Sequence, residues 1–324
     1  MSKQAAQEPL PILSIMGPTG SGKTAVALQL AERFPIEIVS VDSALVYRGL
    51  DVGSAKPSPL ERARVPHHLI DICEPDDHYS AARFRDDATD AIEQIRTRGR
   101  LPVLVGGTGL YFRALEHGLA ELPSGDAELR ATLKSELDAR GRAAMHEELS
   151  RVDPEAARRI HPNDPQRVLR ALEVFRMTGK SMSTLWRDAS PTGPSTPLAK
   201  FAICPPRDAL HAAIADRFRR MLERGFVNEV IALRRQERLN ALLPAMRSVG
   251  YRAVWDYLDG TLSYAEMVER GIIATRQLAK RQITWLRGEH DLTWCTAGVE
   301  AAIADMSAYL KVHPDSKSAE SDLQ

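Results

Sequence analysis

Aromatic residues, cysteines and net charge are all scarce in this sequence, and each shortage narrows the possible functions. Only 6% of the 324 residues are aromatic, and 43 Lys plus Arg balance 43 Asp plus Glu. A formal net charge of zero argues against a highly basic architectural protein, although it leaves room for a local basic patch. The three cysteines, Cys73, Cys204 and Cys295, lie far apart without a C-x-x-C pair, which argues against a disulfide framework or a zinc site.

Long apolar segments are missing as well. No run approaches the roughly 18 residues of a membrane span, and the polar residues 1–8 lack the apolar region of a signal peptide. We therefore expect a cytoplasmic protein with no membrane partner. At roughly 100–200 residues per domain the chain has room for two or three domains, and a hydrophobic fraction of 44% can form a sizeable core.

Apolar runs alternate with helical patterns over the first 120 residues. Strands are predicted at 10–16, 37–41, 68–72 and 101–105, and helices at 23–33 and 81–98. This alternation is typical of βαβ units and a mostly parallel sheet. Residues 126–186 have helical periodicity only, a turn-rich segment follows at 191–197, and residues 200–204 resemble one more core strand.

Residues 17–24 match the phosphate-binding pattern G-x-x-x-x-G-K-[ST] in full, between an apolar strand and a helix-forming run. Glycines let successive backbone N–H groups turn toward phosphate oxygens, and the helix N-terminus adds partial positive charge. Lys23 adds a full charge, and the Thr24 hydroxyl is suited to ligate Mg²⁺. The predicted diphosphate- or nucleotide-binding residues are Gly17, Pro18, Thr19, Gly20, Ser21, Gly22, Lys23 and Thr24.

The predicted fold class is therefore α/β: a P-loop NTPase-like core with a parallel sheet flanked by helices, plus an inserted all-helical domain. The core is expected at residues 1–120 and 199–312, the insertion at 121–198 and a flexible tail at 313–324. Whether ATP also occupies the phosphate loop stays open at this point.

Two polar residues follow predicted strands and should face the ligand of the phosphate loop, because ligands of such sheets bind at the carboxyl ends of the strands. Asp42 follows the second strand and Thr108 the fourth. An alternative for Asp42 is a helix N-cap. The fourth strand ends in Gly-Gly-Thr-Gly, without the Asp that orders Mg²⁺ in P-loop ATPases and GTPases. This absence disfavours ordinary NTP hydrolysis, and the available acids are Asp42 and Asp71.

A basic stripe occupies residues 270–287, which contain five Lys or Arg and no Asp or Glu. Residues 247–252 and 166–170 add further basic positions. One interpretation is a solvated helix face. Beside a phosphate loop, contact with a nucleic-acid backbone is the better interpretation.

Taken together, these segments resemble the bacterial tRNA dimethylallyltransferases, in order and over roughly residues 10–290. The motifs that carry the resemblance are residues 17–24, 40–49, 54–57, 66–71, 105–111, 161–173, 246–252 and 275–287. The resemblance implies transfer of a dimethylallyl group from dimethylallyl diphosphate to N6 of adenosine 37, next to the anticodon of tRNAs that read codons starting with U. It also implies Mg²⁺ dependence, the anticodon stem-loop of tRNA as partner, and a monomer.

An exocyclic adenine amine is a poor nucleophile, so a nearby carboxylate can orient it and take its proton, and Asp42 is the candidate for this role. The resemblance implies that Thr108 and Arg217 lie at the diphosphate. The C-terminal helices of the core are expected to bind tRNA. The residues assigned to tRNA are Asp42, Ser43, Ala44, Leu45, Thr108, Gln166, Arg167, Val168, Leu169, Arg170, Arg247, Ser248, Val249, Gly250, Tyr251, Arg252, Lys280, Arg281, Gln282, Ile283, Thr284, Trp285, Leu286 and Arg287.

Two alternatives from other classes remain: a P-loop kinase for a metabolite or nucleoside, and a non-catalytic RNA-binding NTPase switch. Consumption of ATP without RNA would distinguish a kinase. The missing acid at the end of the fourth strand argues against both.

Overall fold

The computed structural model describes residues 11–119, 122–123, 125–188 and 196–312. The strands are β1 (Ile12–Met16), β2 (Ile36–Val41), β3 (His67–His68), β4 (Leu101–Gly106), β5 (Leu198–Ile203) and β6 (Leu292–Cys295). The helices are α1 (Lys23–Ala31), α2 (Pro59–Arg64), α3 (Ala81–Thr97), α4 (Gly109–His117), α5 (Ala127–Val152), α6 (Pro154–Arg159), α7 (Pro165–Thr178), α8 (Met182–Asp188), α9 (Arg207–Glu223), α10 (Phe226–Arg234), α11 (Tyr251–Leu258), α12 (Tyr264–Leu286) and α13 (Val299–Val312). A short 3-10 helix lies at Ala245–Arg247.

The six strands form one parallel sheet in the order β3-β2-β4-β1-β5-β6. All five residues of β1 are buried, as expected for a parallel strand covered on both faces. Val26 of α1 and Met306 of α13 belong to the core on one face, whereas Phe84 of α3, Phe112 of α4 and Tyr251 of α11 belong to the core on the other. Because the strands are parallel, their carboxyl ends share one edge of the sheet.

The predicted α/β class is confirmed, with a parallel sheet flanked by helices. The helices predicted at 23–33 and 81–98 correspond to α1 and α3, and the strand predicted at 200–204 corresponds to β5. The strand predicted at 68–72 is wrong in extent, because β3 is only His67–His68. Beyond it, Leu69 and Asp71 have φ of 60° and 58°, a left-handed conformation that ends the extended backbone.

β6 and α13 were not predicted from the sequence. β6 is four residues long and pairs with β5, so Phe201 lies opposite Thr293. A four-residue edge strand is too short to show a clear period-two pattern. α13 covers it, with Ile303 and Met306 fully or almost fully buried.

The chain divides into two compact units, one formed by residues up to Glu116 and from Thr196 onward, the other by His117–Ser195. In the described part of the second unit, α5 to α8 pack around Leu133, Leu149 and Leu172. Gly141 interrupts α5 with a φ of 79°. The sequence placed the insertion at 121–198, a few residues from this division, and the tail at 313–324 lies outside the described residues. Within the described ranges, no helix is both long and apolar enough to cross a membrane.

Candidate active site at the carboxyl edge of the sheet

The phosphate loop connects β1 to α1 and has the backbone that its glycines permit. Gly22 is the N-cap of α1 with a φ of 94°, a left-handed conformation that disfavours a side chain. At Gly17 a Cβ would lie 2.5 Å from the carbonyl oxygen of Ile203 on β5, so only glycine fits between the two strands. The loop is thus held against the end of β5 while α1 begins directly after it.

Lys23 folds back onto the phosphate loop. Its Nζ donates hydrogen bonds to the carbonyl oxygens of Gly17 and Pro18, both at 2.8 Å. Burial lowers the pKa of Lys23 to about 7, although the carboxylate of Asp42 acts in the opposite direction. The ammonium therefore lacks a full counter-charge, and an anion in the loop would supply it.

Arg217 on α9 reaches the same loop. Its guanidinium donates to the hydroxyl of Thr19, and burial lowers the pKa of this arginine from its usual value. The Asp42 carboxylate is close enough to both cations to oppose this lowering of their pKa values, because its negative charge favours their charged forms. The predicted grouping of Asp42, Arg217 and the phosphate loop is thus present in the structure.

Asp42 directly follows β2 and does not cap a helix. Its Oδ1 accepts a hydrogen bond from the backbone N–H of Ala44 at 2.8 Å, which closes a local turn. The next helix, α2, begins only at Pro59, so the N-cap alternative is wrong. Asp71, the other candidate acid, is held in ion pairs with Lys56 and with Arg62, the latter at 2.7 Å.

Thr108 connects the turns after β4 and β2. Its Oγ1 accepts a hydrogen bond from the backbone N–H of Ser43 at 3.2 Å, across 65 residues of sequence. The structure therefore places Thr108 beside Asp42, as expected from the positions of both residues at strand ends.

Gln282 on α12 joins the phosphate loop to the turn after β4. Its Oε1 accepts from the N–H of Thr19 at 2.8 Å, and its Nε2 donates to the carbonyl oxygen of Gly107 at 3.0 Å. One turn further along α12, the Trp285 ring lies 2.3 Å from where a Cβ of Gly109 would be. At Gly107 a Cβ would lie 2.3 Å from Nε2 of Gln282 and 2.9 Å from the carbonyl oxygen of Gly17. Close packing by α12 therefore requires glycine at position 109, and α12 together with the phosphate loop requires it at position 107.

Three cavities of the first unit meet at Asp42 and Gln282, which line all of them. The phosphate cavity, about 390 Å³, is also lined by Lys23, Thr24 and Arg217. A small cavity of about 80 Å³ is lined by the apolar residues Ile214, Phe218, Met221, Val249 and Leu278 and also by polar residues that include Arg217 and Thr275. The basic-aromatic cavity, about 550 Å³, is defined by Thr108, Tyr111, Arg247, Arg281 and Trp285. A group held at Asp42 is thus reachable from all three cavities.

The wall of the phosphate cavity includes a loop whose residues 54–57 carry part of the family resemblance but had no predicted role in the site. Glu229 on α10 holds this loop, because its carboxylate accepts from the backbone N–H groups of Asp51, Val52 and Gly53 at 3.0, 2.6 and 3.1 Å. The Tyr251 hydroxyl donates to the same carboxylate at 2.7 Å. The three loop residues are 176 to 178 positions from Glu229 in sequence, and no local pattern signals such a contact.

Lys56 fixes the other end of that loop. Its side chain is 4% exposed, and its Nζ donates to the carbonyl oxygen of Tyr47 at 2.8 Å and to Asp51 at 2.7 Å. Its third partner is Asp71. The segment held in this way, residues 54–57, lines the phosphate cavity.

The residues assigned to tRNA differ in exposure. Lys280, Arg281, Thr284 and Arg287 are exposed along one helix, and their assignment stays a prediction. Others are packed inside the units: Tyr251 and Leu286 in the first, and Val168 in the second, are at most 2% exposed. These three residues are therefore core positions. The prediction included them because it assigned whole motifs to tRNA, whereas each motif lies on a helix that has one buried and one exposed face.

Comparison with known proteins gives matches along nearly the whole chain. The family model described as IPP transferase matches residues 45–289, and the one described as isopentenyl transferase matches residues 11–69. A tRNA dimethylallyltransferase of Alkalilimnicola ehrlichii is 58% identical over 288 residues, covering 88% of this chain and 90% of the relative.

Solved structures show the same likeness. A full-length tRNA isopentenylpyrophosphate transferase from Bacillus halodurans is 36% identical with a TM-score of 0.67, and the match covers 93% of this chain and 96% of that one. A eukaryotic dimethylallyltransferase, described as acting on tRNA, is 26% identical with a TM-score of 0.76, and the match covers 94% and 81% of the two chains.

Proposed function

The chain belongs to the IPP transferase family, and from that membership we propose that it transfers the dimethylallyl group of dimethylallyl diphosphate to N6 of adenosine 37 in tRNA. The observation that carries the proposal is the position of Asp42 where the phosphate cavity, the small cavity and the basic-aromatic cavity meet. Donor and acceptor would approach the same carboxylate from different sides. Fitting tRNAs are those that read codons starting with U, and the products are N6-(dimethylallyl)adenosine and diphosphate.

The phosphate cavity suits the leaving group. As the bond between C1 of the dimethylallyl group and oxygen breaks, the diphosphate departs with the electron pair and gains negative charge. Lys23 and Arg217 supply positive charge there, and the N-terminus of α1 adds its partial charge. The five-carbon group would occupy the small cavity, against the apolar side chains of Phe218 and Met221.

The chain offers oxygen ligands that suit Mg²⁺. The Thr24 hydroxyl and the Asp42 carboxylate both line the phosphate cavity, and Mg²⁺ prefers oxygen donors shared between protein and phosphate. We propose Thr24 as the direct ligand, together with diphosphate oxygens. When bound, Mg²⁺ supplies further neutralisation of the diphosphate charge.

The adenine amine needs both orientation and loss of a proton. N6 attacks C1 of the dimethylallyl group, a new N–C bond forms, and the proton of N6 passes to the Asp42 carboxylate. The turn that carries Asp42 is joined to the turn after β4 by the hydrogen bond from the Ser43 N–H to the Thr108 hydroxyl. To reach Asp42, the base must leave the stack of the anticodon loop, which is less costly in a loop than in a duplex. The basic-aromatic cavity has the size and lining to receive it.

We further propose that the chain works as a monomer in the cytoplasm. All residues named for the chemistry come from one chain and one compact unit. Its three cysteines are free, consistent with a reducing compartment.

The direct test is incubation of the protein with total tRNA, Mg²⁺ and labelled dimethylallyl diphosphate, followed by nucleoside analysis. The label is expected in N6-(dimethylallyl)adenosine at position 37. Omitting tRNA and adding ATP tests the kinase alternative in the same assay. Label elsewhere, or ATP consumption without RNA, would contradict the proposal.

Binding of tRNA should depend on salt through the basic stripe of α12. Lys280→Ala combined with Arg281→Ala is expected to weaken tRNA binding and to flatten the plot of log K against log salt. Each lost phosphate contact lowers the slope by about 0.7–0.9, so the double variant should lose up to roughly 1.4–1.8. Arg33→Ala with Lys311→Ala, two exposed charges outside the stripe, is the matched control. An unchanged slope in the α12 variant would make the stripe an ordinary solvated face.

Diphosphate binding should take up a proton above pH 7. In the free protein the pKa of Lys23 is lowered to about 7, and a bound anion raises it again. Lys23 is therefore largely neutral at pH 8 before binding and charged after it, so affinity falls as pH rises above 7. Below pH 7 the lysine is already charged, and uptake disappears.

Calorimetry at pH 8 in buffers of different ionisation enthalpy measures this uptake. Lys23→Met lacks the titrating amine, so it reports the protonation of the diphosphate itself. The wild type should exceed it by nearly one proton. Equal uptake in both proteins would mean that Lys23 is already charged before the ligand binds.

A further inference from the structure

Two buried polar atoms of the phosphate cavity have no hydrogen-bond partner within the described part of the chain: Oγ of Ser40 and Nε2 of His67. Ser40 is 3% exposed, and both residues line the cavity. A buried polar group without a partner costs free energy, so such groups are uncommon unless a ligand or water satisfies them. Neither residue has a role in the transfer as derived above.

Both side chains lie on the sheet face that α1 covers. Ile38 and Ser40 are two residues apart on β2 and therefore point to the same face, which for Ile38 is the core containing Val26 and Ala27 of α1. Val39 and Val41 belong to the opposite core. The residue paired with Ile38 on β3 is His67. Ser40 and His67 therefore lie on the same face of the sheet, beneath the N-terminal part of α1, which carries Thr24.

The chemistry of these two groups is defined. Nδ1 of His67 lies 2.8 Å from the carbonyl oxygen of Val65, so Nδ1 carries the proton and Nε2 is a bare acceptor. Burial lowers the pKa of His67, which keeps the ring neutral. An unprotonated nitrogen cannot bond to a phosphate oxygen, because both are acceptors, but it can accept from water. A serine hydroxyl can pair with water as donor or acceptor.

We propose that Ser40 and His67 bind the water shell of the Mg²⁺ ion that accompanies the diphosphate. This inference rests on the proposed function, since it presumes a magnesium diphosphate in the phosphate cavity. Mg²⁺ gives up its waters reluctantly and typically keeps several of them in protein sites. Groups that hydrogen-bond to the ligands of a metal contribute about 10- to 100-fold to its affinity. Ser40 and His67 are therefore positioning residues for the cation, and neither touches the reacting atoms.

The experiment measures binding of inorganic diphosphate by calorimetry across a Mg²⁺ titration, with three variants. Ser40→Ala removes the hydroxyl. His67→Asn keeps an N–H that can donate to Val65 and removes the Nε2 acceptor. Ser307→Ala is the matched control, because Ser307 is also buried with an unpartnered hydroxyl, lies on α13 and does not line the phosphate cavity.

Ser40→Ala and His67→Asn should each raise the Mg²⁺ concentration for half-maximal diphosphate binding by about tenfold or more. Without Mg²⁺ their diphosphate affinity should equal that of the wild type, and Ser307→Ala should match the wild type throughout. The Tm of Ser40→Ala and Ser307→Ala should be equal to or above that of the wild type, since an unpaired buried hydroxyl is removed.

The other outcomes each overturn the assignment. If both variants need the same Mg²⁺ concentration as the wild type for half-maximal diphosphate binding, the two residues do not contribute to the cation site. An equal loss of affinity with and without Mg²⁺ would mean direct contact with the diphosphate instead. If the wild type bound no magnesium diphosphate at all, the proposed donor site would fail as well, which the transfer assay detects independently.

Discussion

Asp42→Asn should slow dimethylallyl transfer by about 10²- to 10⁴-fold, the usual contribution of a general base. Asn can still accept the hydrogen bond from the N–H of Ala44 through its Oδ1, so the turn after β2 is preserved. What the substitution removes is the negative charge and the ability to take a proton. Diphosphate binding without Mg²⁺ should not weaken, because a carboxylate gives no direct attraction to that anion.

Single-turnover transfer at saturating tRNA measures this effect, with the Tm as the folding control. Asp126→Asn is a matched variant, since Asp126 accepts from the N–H groups of Glu128 and Leu129 in the second unit and Asn can do the same. It should retain wild-type transfer. A folded Asp42→Asn protein with more than about a tenth of the wild-type rate would leave Asp42 with only its role in the turn.

Lys23→Ala is the other substitution with a large expected effect. Removing one preorganised contact to a group that gains charge in the transition state costs about 2.7–4 kcal/mol, or 10²–10³ in rate. Within the described part of the chain, the hydrogen bonds of the Lys23 ammonium go to the carbonyl oxygens of Gly17 and Pro18, which are in its own loop, so the variant should fold. Affinity for tRNA should be nearly unchanged.

Transfer rate and tRNA affinity are measured together on this variant, with Lys311→Ala as an exposed-lysine control. A transfer rate close to that of the wild type would contradict the binding of the diphosphate at the phosphate loop. Loss of tRNA affinity in parallel with rate would mean that the substitution disturbs the unit rather than the leaving group.

The parts of the site that the sequence predicted are those built by one short segment or by the end of a strand. The phosphate loop follows from its own residues, because the glycines, Lys23 and Thr24 act within eight positions. Asp42 and Thr108 were predicted to lie together because both follow parallel strands, and the Ser43 to Thr108 hydrogen bond is consistent with that expectation.

The parts that the sequence did not reveal depend on contacts between distant segments. Gln282 appeared only as one of many residues assigned to tRNA, whereas the structure shows its amide holding Thr19, 263 positions away. The hydrogen bonds from the backbone N–H groups of residues 51–53 to the Glu229 carboxylate are not indicated by any short sequence pattern either. Backbone conformation was also hidden from the sequence. The strand predicted at 68–72 ends at His68, because Leu69 and Asp71 adopt a positive φ that the pattern of apolar residues does not indicate.

The packing of α12 on the turn after β4 has a consequence for how this sequence can vary. Space for a side chain at position 109 exists only if Trp285 becomes smaller, because its ring lies 2.3 Å from where the Cβ would be. Substitutions at 109 and 285 are therefore non-additive. A library that randomises position 109 alone would return glycine, while one that also randomises position 285 opens alternatives. Position 107 stays closed in both, because a Cβ there would also lie 2.9 Å from the carbonyl oxygen of Gly17. Two segments about 175 residues apart thus form a single unit of variation.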